Sequence, residues 1–495
     1  MGRLLKRRLI FEIGCCKIEE NMNMIRSVWI LNLKAMFSAK DMTVGSPVKR
    51  IMEFSIPMLI GNIAQQLYNT ADSVIVGHYV GDNALAAVGS ASPILNLLLA
   101  LFVGIATGAG ILVSQNFGAK DREGLSKAIG NCISLTFIAT LVIMVVGPLI
   151  TMPMLRLLDT PESIIDWCAS YLNIYFFGII GFFFYNMLSG ILRGLGDSLS
   201  ALGFLLLAAA LNVVLDIWFV GGFKLGVAGV SLATVISQAI SAVFCFRKLM
   251  RMKEHFDLNR STLKMEKAVA GRIISIGVPS GITQAIMSMS MMLVQSLTNS
   301  MGEMVIAANV IIMRVDGFAM MPNFTFGQAM SVYTGQNVGA GKWDRVQKGV
   351  RQGSILAQSV SIVLVAALLL FGKYLFGIFT TTTELIDLAG QMMRIMAAGY
   401  VAISITQVLG GVMRGCGDTV TPMWISILNT VVLRLPTAYA LAYFTRSAQW
   451  PNGHPFALST SLLIAWVMGM VLSVLAFRYG KTRKMILSEM EKQAK

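Results

Sequence analysis

Four polar residues stand inside apolar stretches where side chains of their kind are expensive to keep: Asp72, Asn212, Asp216 and Thr234. An ionised Asp at the centre of a bilayer costs roughly 2.5–3.5 kcal/mol on the insertion scale, so it rarely sits there without a task or a partner. Two acids close together in a low dielectric cannot both ionise easily, so the pair can hold a proton. With amide and hydroxyl oxygens beside them, the same acids could hold Na⁺, a hard cation that prefers oxygen ligands. Asn212 and Asp216 are four apart, hence on one helical face. Asp72 lies nine residues before Gly81, Asn212 nine before Gly221, Asp216 five before Gly221 and Thr234 eight after Gly226. At 1.5 Å per helical residue these depths are about 14, 14, 8 and 12 Å from the ends of their spans. Three helices can therefore bring the four groups to one level.

The elements that must position them are membrane helices. Hydrophobic residues make up 55% of the 495-residue chain and charged residues 13%, about half the charged share of a soluble domain. Apolar runs give twelve spans: 51–79, 83–116, 125–152, 165–192, 200–220 and 227–250, then 268–300, 304–336, 346–371, 385–413, 420–444 and 455–477. Pro57 and Pro279 take matching places in spans 1 and 7, and Pro93 and Pro322 lie inside spans 2 and 8. Each loosens its helix by removing a backbone donor.

The net charge of +15 does not mark a nucleic-acid binder, because the basic residues collect in particular loops. Lys120, Arg122 and Lys127 follow span 2, Arg247 through Arg272 follow span 6, and Lys342, Arg345, Lys348 and Arg351 follow span 8. The opposite loops are poor in Lys and Arg, so both termini are expected in the cytoplasm. Three scattered histidines and six cysteines without a CxxC pair give no metal cluster and need no disulfide. No cofactor is expected.

The two halves repeat. Gln115-Asn116-Phe117-Gly118-Ala119 returns 221 residues later as Gln336-Asn337-Val338-Gly339-Ala340, and Arg193-Gly194-Leu195-Gly196-Asp197 returns as Arg414-Gly415-Cys416-Gly417-Asp418. An even number of spans per half gives both halves one orientation, with a pseudo-two-fold along the membrane normal. The expected fold is an all-α membrane protein with twelve helices in two six-helix lobes. Its parts are an extension over 1–41, an N-lobe over 42–246, a basic linker over 247–267, a C-lobe over 268–478 and a tail over 479–495. Residues 1–41 read as disordered or non-native, with Met42 a more natural beginning.

The repeated motifs read as structural turns. Gly118 and Gly339 offer the positive φ of a helix C-cap. Gly196 and Gly417 allow a tight turn, Asp197 and Asp418 cap the next helix, and Arg193 and Arg414 reach back to carbonyls. Gln115 and Gln336 belong to the same turns. Chemistry is expected where the repeat fails: the counterpart of Asp72, counted from Pro279, is Val294, and span 11 offers Asn429 and Arg434 where span 5 has Asn212 and Asp216. Tyr68, Gln284, Met287, Asp316 and Arg434 are candidates for a substrate cleft, beside methionines that could form an adaptable wall.

From residues 42 to 480 the chain resembles the multidrug and toxic compound extrusion (MATE) family. The resemblance rests on Pro57 through Gly89, both Gln-Asn-x-Gly-Ala turns, both Arg-Gly-x-Gly-Asp turns and the Asn212-x-x-x-Asp216 span. It implies two lobes around a V-shaped cleft and export of drugs or toxic organic cations in exchange for inward H⁺ or Na⁺. It also implies a bacterial cytoplasmic membrane location and a link to antibiotic resistance. A single copy is expected to suffice, with the lipid bilayer and small molecules as its partners. The family's N-lobe cation site maps onto Asp72, Asn212, Asp216 and Thr234. Some members carry acids in spans 7 and 10, which this chain lacks. A flippase for lipid-linked saccharides would need a cationic cleft, and most basic residues here lie at the cytoplasmic surface. A lipid-acting enzyme would need a nucleophile–base set or metal cluster, and neither appears.

Overall fold

The computed structural model describes residues 38–494. Of the N-terminal extension, residues 1–37 lie outside the described residues. From Asp41 onward the chain forms one compact unit.

All twelve expected spans are present as helices. Spans 1, 2 and 3 run Pro47–Tyr79, Asp82–Gly118 and Arg122–Leu157. Span 4 is Glu162–Phe177 plus Ile179–Gly194, bent by 54° between its limbs. Span 5 is Ser198–Asp216 extended by a π-helical segment, Ile217–Gly222, and span 6 is Gly226–Met250. In the second half, spans 7 to 10 run Lys267–Ser300, Glu303–Gly339, Trp343–Gly377 and Thr383–Gly415. Span 11 is Val420–Ile427, a π segment Leu428–Arg434 and Leu435–Phe444, and span 12 is Phe456–Tyr479. Among the described residues ten helices are long and apolar enough to cross a membrane, eleven when the bent pair counts as one. The remaining one, span 1, is long enough at 33 residues but is diluted by Asn62, Gln65, Gln66, Asn69, Thr70 and Asp72.

Two features were not visible as apolar pattern. Span 4 breaks at Gly178, where a Cβ would collide with Val235. Spans 5 and 11 each widen into a π segment, a form that tends to occur at functional sites, and in span 5 it starts directly after Asp216.

The halves repeat in detail. Gly81 and Gly302 open spans 2 and 8 at φ 105° and 100°, and Gly196 and Gly417 turn into spans 5 and 11 at φ 84° and 90°. Asp197 caps span 5 by accepting from Ser200 N at 2.9 Å, and Asp418 accepts from Thr421 N at 3.1 Å.

Gly118 and Gly339 correct the sequence reading. Both are helical; the positive φ falls on Lys120 and Gly341 instead. Glycine is required because the helices cross there: a Cβ on Gly118 would collide with the Gln336 carbonyl, and one on Gly339 with the Gln115 carbonyl. The glutamines complete the crossing. Gln115 Nε2 donates to Gly415 O at 2.9 Å, and Gln336 Nε2 donates to Gly194 O at 3.1 Å. Each first motif thus grips the second motif of the other half. Arg272 Nη2 braces Gln115 Oε1 at 3.3 Å, and Met42 N donates to Gln336 Oε1 at 2.8 Å.

Span 2 also lies backbone to backbone on span 7, through Gly104 and Gly108 against Gly281 and Gly277. Beyond these contacts, span 1 exposes Asn69, Thr70 and Ser73, and span 7 exposes Gln284. Polar groups at mid-span are kept from lipid, so these faces of spans 1 and 7 are suited to line a water-filled space.

The basic linker does not hang free. Arg122 grips Asp257 through Nε at 2.8 Å and Nη2 at 2.9 Å, and this guanidinium holds the Asp257 carboxyl below the usual carboxylate range. Asn131 Oδ1 accepts from Glu266 N, and Ser134 Oγ donates to Leu263 O. The tail forms a helix, Lys481–Ala494, whose buried Ile486 packs with Trp343 and Val346.

The paired Gln115→Ala and Gln336→Ala substitution removes two cross-half bonds worth about 0.5–1.5 kcal/mol each. We expect the distance between spin labels at positions 123 and 348 to broaden toward longer values. An unchanged distribution would show that glycine packing alone holds this end.

Candidate functional site

Span 1 brings Tyr68 and Asp72 against spans 4, 5 and 6. Asn212 and Asp216 are fully buried, and Thr234 and Tyr68 nearly so. The Asp72 and Asp216 carboxyls lie within hydrogen-bonding reach of each other. Two carboxyl groups can make that bond only with a proton between them. The Asn212 amide satisfies its surroundings best with nitrogen donating to Asp216 Oδ2 at 2.9 Å and oxygen accepting from Thr234 N at 3.2 Å. Thr234 Oγ1 donates to Val230 O at 3.1 Å. Asp216 Oδ1 is enclosed without a donor among the described residues.

The four residues gathered by depth counting are therefore one cluster. Tyr68 was expected in the substrate cleft, but the structure places it in this cluster, its hydroxyl within hydrogen-bonding reach of Thr234. Sequence reasoning missed Tyr171 and Tyr175, which lie on the first limb of span 4 within electrostatic reach of Asp72. Their only signal was their spacing, four apart on one face of span 4.

A second polar group sits in the C-lobe. Tyr400 Oη donates to Asp316 Oδ1 at 2.6 Å, and Arg434 lies within electrostatic reach of the same carboxyl. Arg434 Nε has no partner among the described residues. Asp316 and Arg434 line a pocket of about 570 Å³ with Gln295, Asn309, Met313 and Met396. Arg314, two residues away, is exposed and does not pair with Asp316. Gln284 is exposed and Met287 half-buried on span 7; neither lines this pocket.

The repeated arginines differ from expectation. Arg193 Nη1 donates to the Ser189 hydroxyl at 2.8 Å rather than to a carbonyl. Arg414 folds back over Gly410. Both line a pocket of about 440 Å³ between the halves.

Among the described residues no group of three or more His, Cys, Asp or Glu could hold a metal ion. Cys132, Cys168 and Cys245 are buried and free.

Against known proteins, the MatE family model matches twice, at residues 57–218 and 279–440. The probable multidrug resistance protein YoeA of Bacillus subtilis is 31% identical over 424 residues, covering 83% of this chain and 91% of the relative. The probable multidrug resistance protein NorM of Thermotoga maritima is 24% identical over 449 residues, covering 88% and 93%. A crystal structure described as MATE in complex with MaL6 superposes with a TM-score of 0.82 at 23% identity, covering 91% of this chain and 99% of that one. Another, described as MATE in the bent conformation, gives 0.82 at 24% identity, covering 91% and 98%.

Tyr400→Phe strips Asp316 of its donor inside the C-lobe, a loss of about 1–3 kcal/mol. The thermal midpoint of the purified protein should fall measurably, and an unchanged midpoint would mean that another donor takes over.

Proposed function

This chain belongs to the multidrug and toxic compound extrusion family of membrane transporters, and we propose that it is an antiporter that exports amphiphilic or cationic drugs against inward H⁺. It is a multi-pass transporter, not an enzyme. The observation that carries the coupling role is the pairing of half-buried Asp72 with fully buried Asp216, flanked by Asn212, Thr234 and Tyr68. The second half offers no acid pair in the corresponding spans, and its Asp316 already receives the Tyr400 phenol.

We read the cluster as an H⁺ site rather than a Na⁺ site. The best-satisfied orientation of Asn212 turns its amide nitrogen, not its oxygen, toward Asp216. A nitrogen donor suits a hydrogen-bonded carboxyl pair and repels a cation, which needs oxygen ligands. In this mechanism a drug binds in the cleft while it is open to the cytoplasm. The lobes rock, and the clasp formed by Gln115, Gln336, Gly118 and Gly339 closes the cytoplasmic end. A proton entering from outside then reaches Asp72 and Asp216 and changes how span 1 packs against spans 5 and 6, and the drug leaves outward. Each inward charge supplies about 2.3 kcal/mol per 100 mV in addition to its concentration gradient. The basic loops support a reading in which the clasp, the linker and both termini face the cytoplasm of a bacterial inner membrane, with a single copy as the working unit.

The test is efflux of ethidium from proteoliposomes with pH and Na⁺ gradients imposed separately. Wild type should respond to the pH gradient alone. Asp72→Asn and Asp216→Asn should each lose gradient-driven efflux by about a hundredfold or more, a barrier change of roughly 2.7 kcal/mol, while remaining folded. Undiminished efflux in Asp72→Asn removes that residue from coupling; efflux driven by Na⁺ alone assigns the site to Na⁺.

A further inference from the structure

The pocket between the halves lies on their pseudo-two-fold. Its lining comes in pairs 221 residues apart: Thr107 with Gln328, Gly110 with Ser331, Ile111 with Val332, Arg193 with Arg414. Phe54 and Met58 of span 1 add an apolar wall. Two guanidinium groups therefore border one cavity of about 440 Å³, just above the clasp.

Neither arginine is neutralised. Asp197 and Asp418 of the same motifs are turned away to cap spans 5 and 11. Among the described residues neither Arg193 nor Arg414 forms an ion pair. Arg193 at least meets the Ser189 hydroxyl. The position equivalent to Ser189 is Gly410, so Arg414 lies over bare backbone with no hydrogen-bond partner among the described residues. A second observation points the same way. Ser331 replaces Gly110 across the pseudo-axis, is 4% exposed, lines the pocket, and its Oγ has no partner. Two half-buried cations without a counter-charge and a buried spare hydroxyl in one partly apolar pocket offer an anion three donor groups that no acid among the described residues takes up. The planar fork of arginine matches carboxylate and phosphate oxygens in particular.

We propose that this pocket receives the oxyanion group, carboxylate or phosphate, of an amphiphilic molecule whose apolar body lies against Phe54, Met58, Ile111 and Val332. This rests on the efflux reading and narrows its substrate class: the transporter takes amphiphiles that carry an acidic group, zwitterions included, and not organic cations alone. The acidic group is held at the cytoplasmic floor of the cleft, where the two Arg-Gly-x-Gly-Asp motifs meet the clasp. Opening the clasp separates the two arginines, so oxyanion binding across them favours the clasped state.

Rhodamine 110 and rhodamine 123 test this, because they differ by a free carboxyl group against its methyl ester. Binding of each to the full chain in phosphatidylcholine nanodiscs is read by fluorescence anisotropy, with no ion gradient. The acid should bind about tenfold tighter than the ester. The ratio should fall toward one in R414Q and in the R193Q and R414Q pair, and only partly in R414K, which keeps charge but loses the fork. The wild-type ratio is decisive without any substitution. Equal binding of acid and ester, or a ratio that survives the paired change in protein with an unaltered thermal midpoint, overturns the proposal. Competition by phosphatidylglycerol that vanishes in R414Q would make a lipid phosphate the natural occupant; its absence would make it the solute carboxylate. Loss of proton-driven efflux with acid selectivity intact would fault the coupling reading and leave this site standing.

Discussion

Two glutamine amides reach across the pseudo-two-fold to carbonyls on the opposite half, Gln115 to Gly415 and Gln336 to Gly194. This reciprocal pair is possible only because Gly118 and Gly339 let spans 2 and 8 cross with backbones in contact. In a bilayer no hydrophobic force draws one helix to another, so close packing of small residues and interhelical hydrogen bonds must do that work. The clasp supplies both at one end of the molecule. It can also come apart without stranding buried charge, because its own groups are neutral amides and carbonyls and the one charge that braces it, Arg272, is exposed. That combination would suit an interface that forms and parts repeatedly, as the proposed transport cycle requires.

The charged groups are arranged on the opposite principle. In the first half, two acids share a cluster with Asn212, Thr234 and Tyr68, so their interaction depends on proton occupancy. In the second half, Asp316 receives a phenol from Tyr400 and feels Arg434, so its charge is answered by protein groups. Under the proposed coupling, the first half is the one that would respond to an ion, whereas in the second half Asp316 is met by a phenol and lies near a guanidinium. The symmetry of the backbone thus carries an asymmetry of chemistry: the π segment of span 5 starts directly after Asp216, whereas that of span 11 lies about ten residues earlier in the repeat frame and ends on Arg434.

Much of this was legible in the sequence, and the reasons it was or was not are physical. Twelve spans follow from apolar length, and the repeat follows from two motifs at one offset. Asp72, Asn212, Asp216 and Thr234 could be gathered by depth because helical rise is fixed. Rotation about each helix axis is not fixed by depth, so Tyr68 was placed in the cleft although it joins the acid cluster. Tyr171, Tyr175 and Tyr400 look like ordinary apolar-span aromatics until a neighbouring carboxyl gives their hydroxyls meaning. Gly118 and Gly339 carried the correct signal with the wrong cause: composition announces a glycine, but only a partner helix shows whether it serves dihedral freedom or close approach. The bend at Gly178 and the π segments leave no mark on hydropathy at all.

Span 1 is the element through which clasp and acid cluster can communicate. It carries Asp72 and Tyr68 into the first-half cluster, bonds across to the second half through Asn62 and Thr325 at 3.0 Å, and presents Phe54 and Met58 to the pocket between the arginines. Pro57 lies among these contacts and deprives the helix of one backbone bond. A helix that is polar along one side, weakened at Pro57 and bonded to both halves is the natural place for a change in packing between lobes. In the proposed cycle, a proton bound at Asp72 and Asp216 would need only to alter the packing of the stretch beyond Pro57 to be felt at the other end. The coupling proposed above would need no chain of intermediaries, because one helix touches the acid cluster, the pocket between the arginines and the opposite half.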